Sequence, residues 1–169
     1  NDVGVVLNVT GDHLGLREVN TLEQLAAVKQ VVVEAVPKTG WAVLNADDPL
    51  VLEMRRHTGG QVILFSMQKN EFVDRWIRRG RKAIVLEQGP LGELMVLKEG
   101  RRSSPIAYVH TLPATFEGRA RMMVQNAMAA AGAAHAAGAH LHDIRQGLRR
   151  VAAPAMYVPF DPARFTSAT

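Results

Sequence analysis

The feature that most constrains the fold is the apolar run Val3 to Val9, VGVVLNV, at the start of the chain. A strand with one wet face alternates polar and apolar residues, and this one does not. It reads as a strand covered on both faces, the usual position of a strand in a parallel sheet. Parallel neighbours need crossover connections long enough to hold a helix, so the rest of the chain should alternate strand and helix.

It does. After the polar turn Thr10-Gly11-Asp12-His13, Thr21 with Gln24 makes a capping-box signature for a helix. Leu22, Leu25, Val28 and Val32 fall at helical spacing along it. Pro37 and Gly40 close that segment, and Trp41 to Leu44 reads as the next strand. Asp48 is an N-cap with Pro49 in the first helical position. Gln61 to Phe65 predicts a strand and Asn70 to Arg79 an amphipathic helix. Ala83–Leu86 and Leu94–Leu97 read as a hairpin through Gly89-Pro90-Leu91-Gly92, with Ile106–Val109 as an added edge strand. Arg121 to Ala137, rich in Ala and Met, predicts a strong helix, and Asp143 to Arg150 a last one. The fold class expected is α/β: a layered, largely parallel sheet with flanking helices and a β-hairpin. Residues 1–150 form one domain in this reading. Residues 151–169, with Pro154, Pro159 and Pro162, form a linker or extension.

Composition narrows the function classes. The 169 residues contain no cysteine, which excludes disulfides, Cys-ligated zinc, iron–sulfur clusters and thiolate nucleophiles, and suits a cytoplasmic location. No apolar run reaches the roughly 18 residues that span a bilayer, so no membrane partner is expected. Twenty Lys+Arg against sixteen Asp+Glu give a net charge of +4, which favours anionic partners. The excess is local: Arg75, Arg78, Arg79, Arg81 and Lys82 crowd one stretch, with pairs at Arg101–Arg102 and Arg149–Arg150. No nucleic-acid reading motif accompanies them, so they read as a solvated basic face and no nucleic-acid partner is expected. The first residues are Asn1-Asp2-Val3 without a methionine, so a piece of a longer protein is expected.

Three stretches bear chemistry. Asp12 and His13 stand in a loop after the first strand, at the sheet edge where α/β proteins bind ligands. An imidazole and a carboxylate there suit a divalent cation or a phosphate, and equally a structural turn. Lys29 follows on the next helix among Ala26, Ala27, Val28 and Val31. Its stem can lie along the core, making its amine a better nucleophile, or it can snorkel to the surface. Arg119 and Arg121 near a helix start suit a phosphate or carboxylate. His135, His140 and His142 lack the spacing of a zinc site. There is no nucleophile elbow, no Gly-x-Gly-x-x-Gly and no Gly-x-x-x-x-Gly-Lys-Ser/Thr phosphate loop.

NVTGDHLGL (8–16), TLEQLAAVKQVV (21–32), AVLNADDPLV (42–51), QVILFSM (61–67), GRAR…QNAMAA (118–130) and DIRQGLR (143–149) stand in an order and spacing that resemble the central domain of the Mur ligase superfamily, in its cyanophycin synthetase branch. The resemblance implies part of an ATP-dependent amide ligase. ATP phosphorylates a carboxylate, and an amine then attacks the acyl phosphate. In that branch the amine is arginine's and the carboxylates are aspartate side chains of an acidic polypeptide acceptor. The resemblance further implies catalytic roles for Asp12, His13 and Lys29, with His13 on magnesium and Lys29 as a possible metal-holding carbamate. Asn126 would contact adenine. ATP and Mg2+ are thus the implied cofactors, and a homo-oligomer the implied state of the whole ligase.

Met122-Met123 stands where peptidoglycan ligases usually carry His-Asn, which implies altered adenine recognition. The phosphate loop would lie upstream of Asn1, so weak ATP binding and no activity are expected of these residues alone. Alternative readings are a peptidoglycan or folate ligase of the same superfamily, or a non-catalytic basic module that binds an acidic polymer.

Overall fold

The structure is a computed structural model that describes residues 2–11 and 20–152. One six-stranded sheet runs through it in the order β1 (Val3–Val6), β2 (Trp41–Asn45), β3 (Gln61–Ser66), β4 (Lys82–Gly89), β5 (Gly92–Glu99) and β6 (Arg102–Tyr108). β1 to β4 are parallel neighbours, and β4–β5–β6 are antiparallel. The parallel half, the hairpin through Gly89–Gly92 and the added strand all match the sequence expectation.

Side chains alternate between two cores, one on each face. On one face Val43, Ile63, Phe65, Ile84, Met95 and Ala107 pack with helices α4 (Arg121–Ala136) and α5 (Leu141–Arg150). On the other, Ala42, Leu44, Leu64 and Ala83 pack with α1 (Leu22–Glu34), α2 (Pro49–Glu53) and α3 (Glu71–Arg78). Two close approaches hold helices to the sheet. A Cβ at Gly4 would stand 2.8 Å from the Val32 carbonyl oxygen of α1, and one at Gly132 of α4 would stand 2.8 Å from Val43 Cγ1. Among the described residues no helix is long and apolar enough to cross a membrane.

Three local expectations are corrected. β1 ends at Val6 rather than Val9, because side chains from the next connection take over the backbone groups of the residues that follow. β6 begins at Arg102, before Ile106, since polar residues on an edge strand still pair through their backbone: Arg102 to Ser104 lie opposite Glu99 to Leu97. On α1 the buried stripe is not Leu22, Leu25, Val28 and Val32. Val28 and Val32 are 58% and 42% exposed, whereas Leu25 and Val33 are buried. The backbone of α1 lies close on Gly4, and that contact turns the stripe to Leu25, Lys29 and Val33, at i, i+4 and i+8. The capping box at Thr21 and Gln24 forms as expected.

Candidate functional site

The C-terminal ends of the parallel strands make one edge of the sheet, here the upper edge, and its loops are built from polar residues placed directly after apolar strands. Asn45 closes β2. Its Nδ2 donates to Leu7 O at 2.9 Å, and its Oδ1 accepts from Asp47 N at 2.9 Å. Asp48 caps α2 through Leu50 N and Val51 N, and its second oxygen accepts from Val9 N at 2.7 Å. Asp47 reaches the next loop, accepting from Ser66 Oγ at 2.5 Å and Met67 N at 2.7 Å. Asn70 caps α3 and donates to Ala46 O at 3.3 Å. The loops after β1, β2 and β3 are therefore sewn together by side-chain-to-backbone bonds.

Lys29 rises from the buried stripe of α1 into this edge. Its Nζ donates to Asn8 O at 2.7 Å, a half-buried contact on the loop that leads to Asp12 and His13. Lys29 is half-buried. Its neighbours Val28 and Val31 face outward at 58% and 60% exposure. Asp12 and His13 themselves lie outside the described residues.

The chain returns to the same edge at the end of β6. Two short 3-10 turns, Val109–Thr111 and Pro113–Thr115, lead to Phe116, Glu117 and Gly118, all with positive φ (51°, 60° and 84°). Buried Thr115 holds this left-handed turn: its Oγ1 donates within the turn and accepts from Gly118 N at 3.1 Å. Two adjacent non-glycine residues in the left-handed region are strained unless their surroundings fix them. α4 starts just beyond, pinned to the β4–β5 hairpin by a bidentate pair from Arg121 to Glu93 at 2.6 and 3.0 Å. Arg119 pairs with Glu117 at 3.3 Å. Both arginines proposed for an anion are thus engaged within the chain.

Asn126 stands in the second turn of α4, on the opposite face of the sheet from Lys29. Its Nδ2 makes a 3.8 Å contact to Met123 Sδ and no other hydrogen bond within the described residues. The upper edge thus brings Lys29 and Asn126 to one end of the sheet, on its two sides.

The donor set fits a nucleotide in part. Asn126 offers an uncommitted amide that can match a base edge, and Lys29 a cation beside the first loop. Asp47 and Asp48 are filled by backbone and hydroxyl donors, so a metal at either would have to displace a loop-to-loop bond or the α2 cap. No cluster of three or more His, Cys, Asp or Glu occurs among the described residues.

Comparison with known proteins decides the family. The Mur ligase middle domain matches residues 1–134. The chain belongs to the Mur ligases. It is 46% identical over 159 residues to the cyanophycin synthetase of Crocosphaera subtropica, covering 94% of this chain and 18% of that protein. Identity to the cyanophycin synthetase of Synechocystis sp. is 43% over the same shares. The chain therefore spans less than a fifth of these relatives. A UDP-N-acetylmuramoyl-tripeptide--D-alanyl-D-alanine ligase of Mycobacterium bovis is 45% identical, but over 64 residues, 38% of the chain and 12% of that protein. Among solved structures, MurF from Acinetobacter baumannii superposes with a TM-score of 0.60 at 23% identity, covering 92% of this chain and 30% of that one. That likeness is one of fold, and it agrees with the Mur ligase assignment and with the layered α/β sheet.

Asp48 reads as a cap from the sequence, whereas the bonds of Asn45, Asp47, Ser66 and Asn70 emerge only in the fold. The available signal was position: each is a polar residue at or just after the end of an apolar strand, where backbone groups lose their ladder partners.

Proposed function

We propose that this Mur ligase chain is the nucleotide-handling part of an ATP-dependent amide ligase that joins arginine to aspartate side-chain carboxylates of an acidic polypeptide. The observation that carries this reading is the Lys29 Nζ to Asn8 O contact on the loop entering Asp12 and His13. It sits in a chain 40–46% identical to cyanophycin synthetases over most of its length. In the reaction a carboxylate oxygen takes the γ-phosphoryl group of ATP, giving an acyl phosphate and ADP. The arginine amine then attacks the acyl carbon, phosphate leaves, and a proton is lost from nitrogen as the amide forms. Magnesium, when bound, offsets charge on the transferring group.

The roles assigned to this chain follow from placement. His13 would hold the metal, with Asp12 beside it in the loop. Lys29 fixes the β1 loop through Asn8 and presents its amine, free or as a carbamate, to that loop. Asn126 orients the adenine edge from the other side of the sheet, with Met122 and Met123 supplying apolar contact in place of a His-Asn pair.

The test is phosphate release by the full-length protein carrying this chain, with MgATP, an acidic polypeptide primer and arginine. Release should require arginine. It should fall about 100-fold or more in His13→Ala and to a similar degree in Lys29→Ala. Asn126→Ala should raise KM for ATP with a smaller change in kcat. Release that ignores arginine, or a fully active His13→Ala protein, would refute the assignment.

A further inference from the structure

The N-terminal ends of the parallel strands make the lower edge of the sheet, and its electrostatics differ from everything above. Two turns lie side by side there: the one from α3 to β4 and the one from β5 to β6. Gly100 N donates to Ile77 O at 3.1 Å, and a Cβ on Gly100 would come within 3.7 Å of Gly80 Cα. Both turns need glycine at positive φ, 78° at Gly80 and 58° at Gly100. Around these glycines stand Arg78, Arg79, Arg81, Lys82, Arg101 and Arg102.

Elsewhere in the described residues Lys38, Lys69, Arg149 and Arg150 stand without a carboxylate, Lys29 and Arg145 are held by backbone carbonyls, and Arg55, Arg56, Arg75, Lys98, Arg119 and Arg121 reach a carboxylate. None of the cations on the two turns does. Arg81 instead lies over the Trp76 ring at 4.2 Å and Lys82 over the Trp41 ring at 4.8 Å. Trp76 is itself held by an indole N–H donated to Lys82 O at 3.0 Å. A guanidinium laid on an indole face keeps its in-plane N–H groups free, pre-oriented for a planar anion. An open groove of about 610 Å3 runs along α3 from Asn70 at the upper edge down to the turns, and a second of about 430 Å3 lies at the turns themselves. Arg78 and Gly100 line one, Arg81 and Lys82 the other, with Asp74 and Glu99 as unpaired acids.

We propose that this lower edge is a docking site for an acidic polypeptide, separate from the upper-edge site and binding carboxylates through the guanidinium forks. The choice of ligand rests on the ligase reading above; the charge arrangement does not. A single-stranded nucleic acid is the poorer fit, because it needs aromatic faces for its bases. Here Trp76 is buried, and Arg81 and Lys82 lie over one face of Trp76 and Trp41. β1 to β3 span four to six residues between the two edges, so the edges stand roughly 13–20 Å apart. A polymer held at the lower edge would keep its reacting segment near the upper one between turnovers.

The experiment is calorimetric titration of poly-L-aspartate into the full-length protein, comparing wild type with Arg79→Gln/Arg101→Gln/Arg102→Gln. Affinity should fall about tenfold in the variant, with a shallower dependence on salt. The Lys versions of the same substitutions should restore the salt dependence but only part of the affinity, because they keep the charge without the fork, whereas a misfolded variant would restore neither. His13→Ala should bind the polymer normally. Unchanged affinity in the Gln variant overturns the proposal. So does tighter binding of oligouridylate than of poly-L-aspartate by wild type. Arginine-dependent phosphate release, measured on the same preparations, separates the two readings. Its absence from wild type would strike the ligase assignment while leaving the docking result to stand by itself.

Discussion

At the upper edge of the sheet the polar side chains already have partners; at the lower edge a dense set of cations does not. Asn45, Asp47, Asp48 and Asn70 are joined to backbone groups of neighbouring loops, and Ser66 to the Asp47 carboxylate. Those bonds fix where a loop lies, as does the bond from Lys29 Nζ to Asn8 O. The lower edge keeps Arg78, Arg79, Arg101 and Arg102 at the surface, exposed and without a carboxylate. Saturated polar groups hold a fold, whereas unsaturated ones of one sign are available to a ligand.

That contrast can be broken by mutation. The largest effect is expected at Asp48, whose carboxylate serves three backbone N–H groups. Asp48→Ala should cost about 2–3 kcal/mol in a urea unfolding experiment, and Asp48→Asn should recover part of it. If Asp48→Ala were as stable as wild type, the upper edge would not be the sewn structure described. Arg81→Gln comes next, with about 0.5–1 kcal/mol expected for loss of its stacking on Trp76. A larger loss would mean that this cation holds the fold rather than standing ready for a ligand. Arg79→Gln and Arg101→Gln should change stability by less than about 0.5 kcal/mol each.

The subtlest test concerns His135, above the lower edge on α4. Its Nε2 is buried without a partner among the described residues, in a small cavity lined by Glu99, Arg102 and Ser104. Burial pushes its pKa below the usual 6.5; Lys82 and Arg102 push the same way, while Glu99 opposes them. A histidine with a depressed pKa in the folded state is neutral there but still takes up protons when unfolded. Its contribution is therefore complete above pH about 6.5 and lost as pH falls below that value. The midpoint of thermal unfolding, followed by circular dichroism, should drop on going from pH 7 to pH 5. The drop should be smaller in His135→Gln. An equal drop in both proteins would remove His135 from the account.

Much of the sheet was legible because apolar runs, Gly-Pro turns and caps are local signals. The strand at Gln61, the Gly89–Gly92 hairpin and the Thr21 and Asp48 caps all follow from neighbours in sequence. The stripe on α1 was not legible, because a backbone contact at Gly4, distant in sequence, decides which face turns inward. Lys29 illustrates both sides. Its helix was readable, but its place between Leu25 and Val33 on the buried stripe depends on that same contact. The bonds from Asp47 to Ser66 and from Asp48 to Val9 join residues far apart in the chain, and no spacing rule announces them. The Lys82–Trp41 pair was hidden for the same reason, and the Arg81–Trp76 pair because the turn at Gly80 folds the chain back on itself. The sequence shows a basic run, and the fold decides that its cations meet indoles rather than acids.

The chain's two tryptophans, Trp41 and Trp76, both stand at the lower edge, each beneath a cation. Tryptophan emission, excited at about 295 nm to leave out tyrosine, is therefore a reporter on one end of the sheet in this chain. An anion that draws Arg81 or Lys82 away from an indole alters the emission of these two residues, while a nucleotide seated near Asn126 leaves it unchanged. The molecule carries a built-in optical means of telling which of its edges is occupied.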